Sequence, residues 1–295
     1  MIEKDLPGVQ KNIFLKKYTT FKIGGKTKYF FVAKNLEDII CAISAAEKYK
    51  LPIFVLGSGS NLLVSDEGFG GMVIKNENCK LEIANSRIIA EAGTKIYQLV
   101  DFALKNNLFG LEWAAGIPGT LGGAICGNAG TFGQSMENIV HSANVLDAKK
   151  KGIKIFRNKD CKFGYRESIF KRNNKLIILS AEIQLKKGDK LEIKKEMKEF
   201  SDYRKEHQPL NFPSAGSIFK NGENFFAGEL IEKVGLKGKR LGNAEISKKH
   251  ANFIVNLGNA SANDVKKLIA LAKKRVKREF NVVLKEEIVF LPPVL

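Results

Sequence analysis

The sequence predicts an α+β protein built on more than one core, and three observations predict it. The first third sets a strand, a helix and a strand in succession; the middle third is rich in strand-like runs with helices inserted; the last third is mainly helical around one short strand. At 295 residues the chain exceeds the roughly 250 residues that one core usually serves, so two or three cores are expected.

Residues 28–33 (KYFFVA) are aromatic and β-branched and read as a strand. A helix follows, with Leu36, Ile39, Ile40, Ile43 and Ala46 at helical spacing and Asn35 as its N-cap. After Pro52 the run 53–56 reads as a strand ending in the loop Gly57, Ser58, Gly59, Ser60, Asn61, which gives a β-α-β unit with a glycine loop at its exit. Strands are expected at 72–75, 81–84 and 88–92, then a helix carrying Ile96, Leu99, Val100, Ala103 and Leu104. Further strands are expected at 139–147, 153–156 and 175–185. The helix expected at 190–207 has the mixed charges of a bridge between domains. An apolar helix near 226–234, a strand at 253–256 and a helix opened by a capping box of Ser261 and Asp264 complete the pattern.

The most informative stretch runs from Trp113 to Gly133 (WAAGIPGTLGGAICGNAGTFG), where seven glycines sit among small apolar residues. Glycine is costly inside regular structure, so this density points to backbone brought close to something, with a phosphate-bearing cofactor the natural candidate.

The formal charge of +18 raises the possibility of nucleic-acid binding. The lysines are spread over the whole length, with only short clusters at 149–151 and 273–278, and no basic tail or aromatic RNA-binding signature accompanies them. A solvated lysine surface is therefore expected, with no nucleic-acid partner. No apolar run reaches the roughly 18 residues that span a bilayer, and the first residues lack an apolar secretory core, so the chain is expected in the cytoplasm with no membrane partner. Cys41, Cys79, Cys126 and Cys161 form no CxxC pair and read as reduced and structural. His141, His207 and His250 have no ligand spacing, so no metal is expected.

Three partial motifs fail on inspection. The segment from Gly57 to Leu62 lacks the third glycine of a dinucleotide fingerprint, and the residues after it do not open a helix. Gly25-Lys26-Thr27 resembles the end of a phosphate-binding P-loop, but Thr20 stands where its first glycine belongs. Ser217 to Lys220 fits the S-x-x-K pattern of serine acyl-enzymes without the KTG or SDN that should follow. What remains is two glycine-rich loops, a Gly-Tyr-Arg turn at Arg166, a serine in a Gly-Ser turn at Ser217 and a carboxylate pair near Glu287. Loops separated by strands and not followed by a helix suit an extended cofactor such as FAD.

These segments occur in a familiar order: residues 18–25 (YTTFKIGG), 56–62 (LGSGSNL), 116–123 (GIPGTLGG) with 127–130 (GNAG), 164–166 (GYR) and 213–217 (PSAGS). The chain resembles the UDP-N-acetylenolpyruvoylglucosamine reductase family over nearly its whole length. The resemblance implies a two-domain FAD-binding unit of the vanillyl-alcohol-oxidase type, in residues 1–78 and 79–200, plus a C-terminal α+β substrate-binding domain in 201–295. It implies noncovalent FAD, NADPH as co-substrate, a small nucleotide-sugar substrate and a monomer. FAD contacts fall on Gly57, Ser58, Gly59, Ser60 and Asn61, on Gly116, Ile117, Pro118, Gly119, Gly122 and Gly123, and on Gly127, Asn128 and Ala129.

The chemistry so implied is a hydride relay from NADPH through FAD to C3 of an enolpyruvyl group, followed by protonation at C2. Ser217 matches the family's proton donor, Arg166 the cation beside the substrate carboxylate, and Glu287 the acid that helps polarise it. A fixed guanidinium stabilises charge developing on that carboxylate more in the transition state than in the ground state. A carboxyl group can do the same only as a protonated hydrogen-bond donor. Arg204 matches a substrate-diphosphate contact, and Asn221 and His250 match further nucleotide contacts. Two departures stand out. The interval from Arg166 to Ser217 is short, as in the form that lacks a tyrosine-bearing substrate loop, and Val289 stands where many relatives carry arginine.

Overall fold

The computed structural model describes residues 1–84, 86–150 and 152–293; Lys151 of the basic cluster at 149–151 lies outside them. The principal elements in chain order are β1 (Gln10–Phe14), β2 (Lys26–Ala33), α1 (Leu36–Lys48), β3 (Ile53–Leu56), β4 (Leu62–Val64), β5 (Phe69–Asn76), β6 (Leu81–Ala84), β7 (Arg87–Glu91), α2 (Ile96–Lys105), α3 (Leu121–Cys126) and α4 (Met136–Ile139). Then come β8 (Val140–Asp147), β9 (Gly152–Arg157), β10 (Leu176–Gln184), α5 (Lys190–His207), β11 (Ser214–Ser217), α6 (Ala227–Lys233), β12 (Arg240–Leu241), β13 (Ala244–Ile246), β14 (Phe253–Asn256), α7 (Ala262–Phe280) and β15 (Val289–Leu291).

Two compact units result. The first comprises Met1–Val9, Phe31–Ser58 and Val73–Arg204, the second Gln10–Phe30, Gly59–Met72 and Lys205–Leu295. The chain passes from one to the other between Val9 and Gln10, inside β2, between Ser58 and Gly59, inside β5, and in the last turn of α5 after Arg204.

In the first unit an antiparallel sheet of order β9-β8-β10-β7-β6 packs its apolar face under α2 and α3, around Ile88, Leu99, Leu121, Ile125, Val145 and Ile183. α1 is capped as expected, with the Asn35 side chain accepting from Asp38 N at 2.8 Å. The β-α-β reading holds for the elements but not for their adjacency, because β5 lies between β2 and β3.

In the second unit the antiparallel order is β11-β14-β13-β12, with α6 and α7 against it. α7 buries Val265, Leu268, Ile269, Ala272 and Val276, one stripe at helical spacing. Full burial of each large aliphatic chain in that stripe contributes roughly 1.5–3 kcal/mol. Its N-terminus is the expected capping box: Asp264 N donates to Ser261 Oγ at 3.0 Å and Ser261 N to Asp264 Oδ2 at 3.1 Å. β15 pairs in parallel with β4, from Val289↔Leu62 to Leu291↔Val64.

Three expectations are corrected. The glycine-rich segment is not all loop, since α3 lies within it; its first amides donate to the distant carbonyls of Thr94 and Ala92, at 2.8 and 2.9 Å, which lets a short helix form despite the glycines. Ser217 ends strand β11, paired with Phe253, and is not in a turn. Of the four free cysteines, Cys161 is buried and Cys126 half-buried, but Cys41 and Cys79 are exposed and serve no core. Cys41 falls on the outer face of α1, a periodicity that its apolar neighbours concealed.

Candidate functional site

In the first unit the exit of β3 and the glycine-rich segment lie side by side. Lys75 Nζ donates to Gly57 O at 2.8 Å, and on the other side a methyl added to Gly57 would overlap Thr120 Oγ1. Gly57 is thus held by its carbonyl and by its missing side chain. Burial lowers the Lys75 ammonium from its ordinary range, and the charge of Lys95 adds to this.

Gly116 and Gly119 adopt left-handed or extended positive φ of 82° and 148°, conformations that side chains resist. Gly122 packs on Ala92, where an added methyl would lie 2.9 Å from the alanine Cβ. Gly123 and Gly127 differ. A methyl on either would meet no protein atom nearer than 3.5 Å, and Gly123 is exposed within α3. Glycine inside a helix costs about 1 kcal/mol against alanine, so protein packing alone does not account for it there. A face kept free of side chains is what a flat ring system laid on α3 requires, and on that observation the segment fits a flavin. Ile117 and Ala129 turn inward against the first core.

Arg166 sits on a turn closed by Gly164 N to Glu167 O at 3.1 Å and Glu167 N to Gly164 O at 3.0 Å, with a left-handed φ of 58°. Its Nη2 donates to Gly130 O at 2.7 Å, and its guanidinium lies 5.1 Å from the Tyr165 ring centre. The glycine-rich segment and the Gly-Tyr-Arg turn are therefore joined within this unit. Arg204 is buried: Nη2 donates to Trp113 O at 2.8 Å, Nη1 to Phe200 O at 3.2 Å, and the cation lies 5.3 Å from the Phe132 ring centre. Burial lowers its basicity, though an arginine stays charged.

In the second unit Gly59 has a φ of 62°, and a methyl there would overlap the carbonyl of Tyr18. Thr20 ties this loop to β11, donating from N to Gly59 O at 3.2 Å and from Oγ1 to Ser214 O at 2.7 Å. The structure also brings Asn61, Glu287 and Ser217 together. Asn61 Nδ2 donates to Glu287 O at 3.2 Å, Val289 N to Asn61 O at 3.0 Å, and Glu287 N to Ile218 O at 2.8 Å, next to Ser217. Among the described residues the Ser217 hydroxyl takes no hydrogen-bond partner. Asn221 and His250 flank the start of α6: Asn221 Oδ1 accepts from Ala227 N at 3.0 Å, and the His250 ring abuts Gly228. His250 Nδ1 accepts from Asn252 N at 3.2 Å, and burial lowers the imidazole below its ordinary range.

Sequence reasoning missed Lys75 and Thr120, which fix Gly57, and Phe132, which stacks on Phe200 with ring centres 4.7 Å apart and lies beneath the edge of Tyr203. A lysine inside the apolar run of β5 was the one available signal.

Residues 208–291 match the family model described as UDP-N-acetylenolpyruvoylglucosamine reductase, C-terminal domain, and residues 27–154 match the FAD binding domain. The UDP-N-acetylenolpyruvoylglucosamine reductase of Caldanaerobacter subterraneus subsp. tengcongensis is 44% identical over 275 residues, 93% of this chain and 90% of the relative. That of Clostridium novyi is 42% identical over 96% of this chain and 92% of its own length. The crystal structure of UDP-N-acetylenolpyruvylglucosamine reductase from Thermus caldophilus superposes with a TM-score of 0.82 at 36% identity, covering 96% of this chain and 98% of that one. With both parts of the fold matched and the likeness extending over almost the whole length, the chain belongs to the UDP-N-acetylenolpyruvoylglucosamine reductase family.

Proposed function

We propose that the chain reduces UDP-N-acetylglucosamine enolpyruvate to UDP-N-acetylmuramate with NADPH and noncovalent FAD, a step in making the peptidoglycan precursor. The observation that supports this reading is that Ser217, Glu287 and Asn61 lie on adjoining backbones of the second unit, whose residues 208–291 match the family's C-terminal model. FAD, when bound, would supply the hydride chemistry between NADPH and the enolpyruvyl carbon. The protein's own residues then manage charge and protons. The Arg166 guanidinium, whose Nη2 donates to Gly130 O, is assigned to the substrate carboxylate, where its fixed charge favours the negative charge that develops in the transition state. The Ser217 hydroxyl supplies the proton to C2, and Glu287 donates a second hydrogen bond to the carboxylate. Arg204 keeps three of its five N–H donors beyond those spent on Trp113 and Phe200, and these are assigned to the substrate diphosphate. Asn221 and His250 are assigned to the nucleotide.

Residues 1–78 and 79–200 are assigned to the cofactor and 201–295 to the substrate. No helix of the described residues is long and apolar enough to cross a membrane. The enzyme is taken to act in the cytoplasm as a monomer, without nucleic-acid or membrane partners. Anaerobic NADPH should bleach the flavin bands of the purified protein, and the enolpyruvyl nucleotide should restore them while gaining two mass units. A flavin that stays reduced in the presence of that nucleotide refutes the reading.

A further inference from the structure

We infer that Asn128 is the positioning residue for Arg166, a role that rests on the reading of Arg166 as the cation beside the substrate carboxylate. Asn128 is buried, with a left-handed φ of 42°, a conformation that asparagine tolerates better than most residues. Its backbone N donates to Ile125 O at 3.1 Å and closes the end of α3. Both ends of its side-chain amide are engaged elsewhere. Oδ1 accepts from Glu137 N at 3.0 Å, one of the amides left unpaired in the first turn of α4. Nδ2 donates to Gly164 O at 2.9 Å, the carbonyl that also closes the turn carrying Arg166.

The orientation of this amide is fixed, because the reverse placement would set NH2 against an N–H and oxygen against a carbonyl. One buried side chain therefore joins the end of α3 in the glycine-rich segment to the turn that presents the guanidinium. The turn needs such support, since Arg166 holds a left-handed backbone that arginine does not favour. Lys171 Nζ to Arg166 O at 3.0 Å also holds the turn, and Ser168 Oγ to Cys126 O at 2.7 Å is a second tie to the end of α3. The side-chain amide of Asn128 is thereby engaged within the protein at both ends.

The test uses the FAD-loaded enzyme with Asn128→Ala, Asn128→Asp, Arg166→Ala and the double variant Asn128→Ala with Arg166→Ala. Asn128→Asp keeps the volume and the acceptor for Glu137 N but loses the donor to Gly164, and so folds where a truncation fails. Both Asn128 variants lose a buried hydrogen bond and should melt below the parent, so the readout, taken with FAD saturating, is the rate of reoxidation relative to the rate of reduction by NADPH. Reoxidation by the enolpyruvyl nucleotide should slow roughly 10- to 100-fold in both single Asn128 variants. The double variant should be no slower than Arg166→Ala alone, because a residue acting only through another adds nothing once that one is gone. Equal slowing of both half-reactions, or additive loss in the double variant, overturns the inference. A slow Arg166→Ala beside a fast Asn128→Asp overturns it alone, whereas an Arg166→Ala enzyme as fast as the parent removes the reading of Arg166 as well.

Discussion

Replacing Gly123 with alanine separates what the protein needs from what its cofactor needs. In the cofactor-free chain the new methyl meets Thr120 Oγ1 at 3.5 Å, an ordinary contact, and nothing else within 4 Å. The residue lies in α3 and is not held at positive φ. Alanine is favoured over glycine in a helix by about 1 kcal/mol, so the apo protein should gain up to that amount, or roughly 2–4 °C in Tm. If a ring system lies on this face, the same methyl must be accommodated by displacement, and such overpacking costs about 1–3 kcal/mol. That corresponds to roughly 5- to 150-fold weaker FAD binding. The assay pairs an apo-protein melt with an FAD titration followed by flavin fluorescence. Gly59→Ala is the control: its left-handed φ and its overlap with the Tyr18 carbonyl should lower apo stability by about 2–5 kcal/mol. Gly123→Ala protein that binds FAD as tightly as the parent would refute the assignment of this glycine to the cofactor.

Ser217→Ala should leave reduction of the flavin by NADPH nearly intact and slow reoxidation by the enolpyruvyl nucleotide by several orders of magnitude, read by stopped-flow absorbance; equal loss in both steps would make Ser217 structural. Cys41 and Cys79 should react with a thiol reagent in the native protein, while Cys126 and Cys161, whose thiols burial pushes up to about 11, should react only on unfolding, as peptide mapping would show. The imidazole of His250 is lowered by burial and by the nearby charge of Lys237 from 6.5. The unfolded chain therefore binds more protons below that pH, and stability contributed by neutral His250 is present above it and lost as pH falls through it. Urea midpoints for a His250→Gln variant should fall less than those of the parent between pH 6.5 and pH 5.

Legibility in the sequence followed the range of the interactions. The Asn35 cap and the Ser261–Asp264 box use partners three residues apart, so both were readable from the sequence. The two ends of the charged helix were equally plain, since its periodicity and flanks are local. Ser217 looked like a turn residue because its strand exists only through pairing with Phe253. The short helix α3 was hidden by glycines whose low propensity is overridden by packing on Ala92. Gly57 was identified as a loop glycine, but Thr120 and Lys75, the residues that hold it, are far away in sequence and carry no motif. The amide of Asn128 gave no sign that it spans to Gly164.

The pairing of β15 with β4 has a consequence for biogenesis. Asn61 is anchored through Glu287 O and Val289 N, more than two hundred residues downstream, so the second half of the Gly57–Asn61 loop lacks these anchors until that strand has been made. Contacts of such separation form late, and synthesis proceeds from the N-terminus. A ribosome-bound chain stalled before residue 287 is therefore expected to take up little flavin, and bound colour would report completion of the polypeptide as well as its folding.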